Sequence, residues 1–259
     1  MKINFSEVES KVFDLRIGRL DLQGALDADY FVEQVKDLKL DAVRLKVPIE
    51  YETINLDLHQ CAYPFYFSGA IKRYEVDCFK APDVALDDGV SFHLFEGSKK
   101  DLQAFYDILK DTWGKYPLGY YKTPGFNQLI TKEMELEALF AYYSKRNNHK
   151  AHSDAYLWFL QYHGELAGFI ALYTYPGESF ETSYIDSTIA GIKTDFQNKR
   201  LFPNILRHIR TFCRTNNLRY FRCGARMENF YSQKAFEKDY MCAIGVDLVF
   251  HVLTSNRIK

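Results

Sequence analysis

The stretch Ile192-Lys193-Thr194-Asp195-Phe196-Gln197-Asn198-Lys199-Arg200-Leu201-Phe202-Pro203 constrains this chain more than any other segment. It reads as the end of a strand, a short polar turn and the start of a helix. A helix start carries N–H groups without intrahelical partners at the positive end of the macrodipole, which suits a phosphate or pyrophosphate. Lys199 and Arg200 add positive charge at the same place, and Pro203 falls in the first helical turn, where a missing N–H costs least. A basic helix start that binds nothing has the same signature, so these residues alone leave both readings open.

Composition narrows the class of protein. At 259 residues the chain is long enough for one large domain or two modest ones. The 16% aromatic content, with 19 Tyr and 21 Phe, fits aromatic-lined pockets and rich core packing equally well. A net charge of −1 gives no reason to expect nucleic acid or an anionic membrane surface as a partner. No run of about eighteen apolar residues suggests a transmembrane helix, and the polar, acidic first ten residues do not read as a signal peptide. The cysteines are Cys61, Cys78, Cys213, Cys223 and Cys242, with no CxxC or Cys/His ligand spacing. A reduced, cytoplasmic setting with free thiols is expected, and no metal site.

Periodicity organises the chain around a Pro/Gly/Asp-rich stretch at 81–89, read as a linker. Before it we expect a strand at Val12–Leu20, a helix near Asp29–Leu38, a strand at Ala42–Val47, a helix near Tyr51–Cys61 and a strand pair within Pro64–Cys78. After it come a strand at Ser91–Phe95, a helix at Lys99–Trp113, a long loop over 114–131 and a helix at Lys132–Lys145. Strands at Tyr156–Tyr162 and Leu166–Tyr175 flank the hairpin signal His163-Gly164-Glu165, and a strand follows at Ser183–Lys193. Gly191 within that strand suggests a bulge or a close backbone approach. A helix at Pro203–Asn216, a strand at Arg219–Ala225, a short helix at Asn229–Lys238 and a strand at Ala243–Leu253 complete the order.

This order resembles the GCN5-related N-acetyltransferase (GNAT) superfamily over about residues 90–254. Ile192-x-Thr194-x-Phe196-Gln197-Asn198-Lys199-Arg200-Leu201 is similar to the superfamily's strand end and pyrophosphate loop, V-x-P-x-Y-[RQ]-G-x-G-x-[GA]. Asn229 to Lys238 resembles its N-x-x-[AS]-x-x-x-[YF]-E helix. The chain departs at Asn198 and Arg200, which replace glycines, and at Tyr240-Met241, which replace a Gly-Phe pair. Phe13–Leu20 followed by Asp41–Val47 resembles the partial N-terminal domain of dTDP-fucosamine acetyltransferase and related nucleotide-amino-sugar N-acetyltransferases. The resemblance implies an α+β fold: a mixed, mostly antiparallel sheet flanked by helices over 89–259, with a smaller α/β domain over 1–88 like a truncated copy of it.

It also implies a function: acetyl transfer from acetyl-CoA, as co-substrate, to a small-molecule amine, with a nucleotide-linked amino sugar as one acceptor and a homodimer as one assembly. A non-catalytic acyl-CoA-binding or regulatory protein on the same scaffold is the alternative. By resemblance, the strand edge at Ala190, Gly191 and Ile192 would bond the pantetheine arm, with the N–H of Ile192 on the thioester carbonyl. Thr194 stands in the loop motif, and Gln197, Asn198, Lys199, Arg200, Leu201 and Phe202 would hold the pyrophosphate. Asn229 and Ser232 would reach the pantetheine, although Asn229 serves equally as a plain helix N-cap. Phe236 stands where a tyrosine acid is usual and cannot donate a proton. Tyr240 and no tyrosine acid at all are therefore the open choices. Asp186 is the candidate base or water-positioning group, or simply a strand aspartate, and His93 is a second candidate or a structural histidine. Tyr116, Tyr120, Tyr121 and Phe126 in the long loop either stack on an acceptor or pack on the core.

Overall fold

The computed structural model describes residues 1–49, 63–113, 119–144 and 154–254. The fold is α+β, with ten strands, mixed and mostly antiparallel, and six helices among the described residues. Contacts divide the chain into two units: Met1–Lys72, Tyr116–Leu139 and Gly245–Lys259 form the first, Arg73–Lys115 and Phe140–Ile244 the second.

In the first unit, β1 (Asn4–Phe5) pairs antiparallel with β2 (Ile17–Asp21), and β2 runs parallel to β3 (Ala42–Pro48). Helix α1 (Glu7–Phe13) precedes β2, and α2 (Ala28–Asp37) makes the crossover that a parallel pair requires. Asp27 caps α2 by accepting from the N–H of Tyr30. Phe31 and Val35, one turn apart, bury against Leu20, Val43, Leu45 and Val252. The expected strand at Val12–Leu20 is corrected: Phe13 ends α1 and Asp14 turns the chain through the left-handed region at φ 52° before β2 begins at Ile17. The strand pair expected within Pro64–Cys78 is one long strand, β4 (Phe65–Asp77). The helix expected near Tyr51–Cys61 lies outside the described residues.

The described part of the long loop, 119–131, packs into the first unit's core. Glu135, fully buried on α4 (Lys132–Tyr143), accepts from the N–H groups of Gly119 and Tyr121. Two 3-10 turns, Tyr120–Lys122 and Phe126–Gln128, bury Tyr120 and Phe126 in a cluster with Phe13, Ile17 and Leu253. Tyr116 lies outside the described residues.

In the second unit, β5 (Val90–Leu94), β6 (Ala155–Tyr162), β7 (Glu165–Tyr175) and β8 (Tyr184–Ile192) run antiparallel in turn. β9 (Tyr220–Arg226) pairs parallel with β8, and β4 follows on its other side. β7 is buried on both faces. Phe169 faces α3 (Lys99–Trp113), where Phe105 lies 5.4 Å away, ring to ring. Ile170 and Leu172 face the main core, into which α5 (Phe202–Thr215) sends Ile205, Leu206, Ile209 and Cys213. The short helix α6 (Phe230–Lys238) adds Phe236; in the first unit, the last strand, β10 (Cys242–Leu253), pairs antiparallel with β3 from Asp247 onward. The Pro/Gly/Asp-rich segment is bound to α5: the buried Asn204 both accepts from the N–H of Asp87 and donates to its carboxylate. Arg207 and Arg214 pair with Asp87 and Asp83.

Candidate functional site

β8 and β9 pair only from Tyr184↔Tyr220 to Ser187↔Cys223, although both strands run on. The cause lies in β8. Leu172 pairs with Ser187 and Ala171 with Ile189, so Thr188 is an extra residue, a β-bulge that bends the strand away. The bulge is therefore three residues before Gly191. Gly191 answers instead to a close approach: a Cβ there would stand 2.8 Å from the side chain of Thr112 on α3.

Beyond the bulge β8 has an edge that β9 does not cover. Lys193 donates its N–H to the carbonyl of Ala167 on β7, so by alternation Gly191 also faces β7 while Ala190 and Ile192 turn their N–H and C=O groups outward. The two carbonyls already have donors. The indole Nε1 of Trp113, at the end of α3, donates to Ala190 O at 3.1 Å, and Gln197 Nε2 lies 3.5 Å from Ile192 O. Asp111, also on α3, accepts from both the N–H and the hydroxyl of Thr194, which commits both donors of that residue.

The turn after β8 keeps a glycine-like backbone without glycine. Asn198 has φ 65° and Arg200 φ 57°, both left-handed. Leu201 follows at φ −74°, ψ −25°, so Arg200 and Leu201 form a left-handed/right-handed pair that aims successive N–H groups into one concavity. The N–H groups of Asn198, Arg200, Leu201 and Phe202 have no hydrogen-bond partner among the described residues. No side chain caps α5, and Pro203 stands in its first turn. Asn198, Lys199 and Arg200 are exposed. Phe202 packs toward Phe236, 5.8 Å between ring centroids, and the Lys199 ammonium lies 4.9 Å from the Phe196 ring. The loop thus carries unpartnered N–H donors and two exposed cations.

Across the opening, Asn229 caps α6 by accepting from the N–H of Ser232 at 3.2 Å. The oxygen makes the cap, and the amide NH₂ of the same side chain remains a donor. Phe236 is buried 5.1 Å from the ring of Tyr74, itself buried. Tyr240 is 54% exposed and left-handed at φ 67°, with the Arg210 guanidinium 6.0 Å from its ring. It occupies the helix-ending position usually given to glycine, and Met241 donates back to Phe236 O as such an ending requires. Arg210 is buried and paired with Asp239, whose carboxyl is pushed up by burial and only partly held down by the arginine.

Asp186 is half-buried on the paired part of β8, beside Tyr173 on β7 and Arg222 on β9. Around it Tyr184 stacks on Tyr175 at 4.6 Å and lies under the Arg222 guanidinium at 4.1 Å. Arg222 bonds Glu75 at 2.7 Å, and Tyr173 donates to Tyr142 at 2.8 Å. Burial raises the Tyr184 hydroxyl pKa; Arg222 opposes this and Asp186 adds to it. His93 is exposed on β5, its ring 5.1 Å from Phe159, at the far end of the strand order from β9. Sequence reasoning placed the strand edge and the turn but missed Asp111, Thr112 and Trp113. Their only signal was position, in the last turn of a helix ahead of a long loop.

No family profile matches the chain, and no curated protein matches it. Solved structures do. A functionally unknown conserved protein from Staphylococcus epidermidis is similar with TM-score 0.62 at 8% identity, over 98% of this chain and 92% of that one. A GCN5-related N-acetyltransferase from Kribbella flavida gives TM-score 0.58 at 8% identity, over 92% and 82% of the two chains. A tandem GNAT protein from the clavulanic acid biosynthesis pathway gives 0.55 at 10% identity, over 91% and 74%. At such identities the likeness is one of fold, and the fold is GNAT-like. Among the described residues no helix is long and apolar enough to cross a membrane.

Proposed function

We propose that this chain is an acyl-CoA-dependent N-acyltransferase that moves an acetyl group from acetyl-CoA to a small amine. The observation that carries this reading is the uncapped turn at Asn198–Phe202, with two left-handed residues and four unpartnered N–H groups, set at the end of a strand edge that β9 leaves open. The turn suits a diphosphate, and the outward N–H of Ile192 suits a carbonyl oxygen of a ligand lying along the edge.

In the reaction, the neutral amine attacks the thioester carbon, the carbonyl becomes an oxyanion, the C–S bond breaks and coenzyme A leaves as a thiolate. An outward N–H of β8, that of Ile192 in this reading, stabilises the oxyanion. The ammonium proton passes to Asp186 directly or through water, and the thiolate is protonated by solvent or by Tyr240. The half-buried tyrosines near Asp186 border the acceptor. The resemblance at Phe13–Leu20 and Asp41–Val47 favours a nucleotide-linked amino sugar as that acceptor.

Calorimetric titration with acetyl-CoA, followed by thiol release across an amine panel that includes nucleotide-linked amino sugars, tests the proposal. Binding with turnover on at least one amine supports it, and no binding refutes it. A second reading, an acyl-CoA-binding protein without turnover, is favoured by Phe236, which is buried and without a proton to give. Tight binding with no thiol release on any amine would support that reading.

A further inference from the structure

Trp113 stands where a chain lying on the β8 edge would end. A ligand anchored at the Asn198–Phe202 turn and extended toward the bulge passes Ile192 first and reaches Ala190 about 7 Å later, at two residues of strand rise. At Ala190 the edge is occupied: the indole of Trp113 is bonded to the outward carbonyl at 3.1 Å. The adjoining face of the strand is closed as well, because Thr112 leaves no room even for a Cβ on Gly191. Just past Ala190 the extra residue Thr188 folds back, its hydroxyl 3.2 Å from Ala171 O. Among the described residues the uncovered length of edge therefore runs from the turn to Trp113 and stops.

Resting on the acyl-CoA reading, we infer that Trp113 is the wall that ends the acyl groove and holds it to short acyl groups. The bond to Ala190 fixes the ring in place and also leaves the edge with N–H donors only, so the groove reads the carbonyls of its ligand. A long acyl chain must displace the ring and break that bond.

The test is calorimetric titration of the full chain with coenzyme A, acetyl-CoA, butyryl-CoA and hexanoyl-CoA. The wild type is expected to bind hexanoyl-CoA at least about tenfold more weakly than acetyl-CoA, and Trp113→Ala to bring the two within about threefold. Trp113→Phe keeps a ring at the same place and should retain the discrimination while losing the bond to Ala190. The chain has two tryptophans, and the other, Trp158, is buried in the core against Tyr156 and Phe212. Hexanoyl-CoA should therefore shift wild-type indole emission more than acetyl-CoA does, and Trp113→Phe should lose that difference, a readout that does not depend on the alanine variant folding. Equal wild-type affinity for acetyl-CoA and hexanoyl-CoA overturns the inference and leaves the acyl-CoA reading standing. Failure of all four ligands to bind overturns the reading beneath it.

Discussion

Replacing Arg200 by alanine and, separately, by glycine removes the same side-chain charge but treats the backbone oppositely. At φ 57° an L-residue is held in the left-handed region, which costs about 1–2 kcal/mol that glycine does not incur. Glycine in turn loses more freedom on folding than alanine, about 0.4–1 kcal/mol. The balance favours Arg200→Gly over Arg200→Ala by roughly 0.5–1 kcal/mol. That corresponds to about 1–4 °C in melting temperature for a unit of this size. At an ordinary negative φ the order reverses, and alanine is the more stable by about 0.4–1 kcal/mol. The sign of the difference is therefore the result, and urea unfolding midpoints of the two variants give it. Asn198 and Tyr240, at φ 65° and φ 67°, should show the same order of glycine over alanine. Acetyl-CoA affinity should follow the same order at Arg200, since both variants lose one cation and only alanine strains the turn. Alanine equal to or better than glycine at all three positions would refute the retained turn geometry.

Asn198→Asp with Lys199→Glu sets negative charge against the diphosphate and should weaken acetyl-CoA binding about 10–100-fold at low salt, and less at high salt; calorimetry at two ionic strengths reads both effects. His208 on α5 stacks on Phe92 at 4.0 Å, and burial lowers its pKa from 6.5 to about 4. Because the folded form favours the neutral ring, its contribution is full above about pH 6.5 and is lost as pH falls toward 4, at most about 3 kcal/mol. His208→Phe should flatten that part of the melting-temperature profile, and an unchanged acid slope would count against the assignment. Phe236→Tyr forces a hydroxyl into packing between Tyr74 and Phe202. It should cost about 1–3 kcal/mol in urea unfolding, unless the oxygen reaches the open edge, in which case thiol release should rise instead.

Strands and helices of the second unit were legible because both sides of the sheet are covered and the apolar periods are clean, as in Phe105, Ile108 and Leu109 on α3. Val12–Leu20 was misread because Val12 and Phe13 close a short helix whose end is set by a left-handed Asp14, a local choice that periodicity does not report. Pro64–Cys78 lacks a turn in the structure, and the glycine at 69, φ 151°, interrupts the pattern without breaking the strand. At the site, the turn could be found from its residue types. The bulge could not, since Thr188 is distinguished only by its pairing with β7. The Trp113–Ala190 bond could not either, since it joins residues far apart in the chain.

Three of the departures from the GNAT pattern have one physical form. Asn198, Arg200 and Tyr240 replace residues expected to be glycine, and each is left-handed in the structure. Glycine is favoured at such positions because it has no Cβ to strain, but the backbone path is what an anion site or a helix ending requires. Surrounding contacts can impose that path on another residue at a cost of about 1–2 kcal/mol. Here those contacts are identifiable: Leu201 buried on one side of Arg200 and Phe196 on the other side of Asn198 pin the turn, and Met241, buried and bonded to Phe236, pins Tyr240. A left-handed residue other than glycine keeps the backbone path while removing the glycine by which a sequence would announce it. Left-handed residues other than glycine also stand at Asp14, Lys39, His163 and Asn217, so the conformation at Asn198, Arg200 and Tyr240 reports local turn geometry, and titration with acetyl-CoA decides whether a ligand uses it.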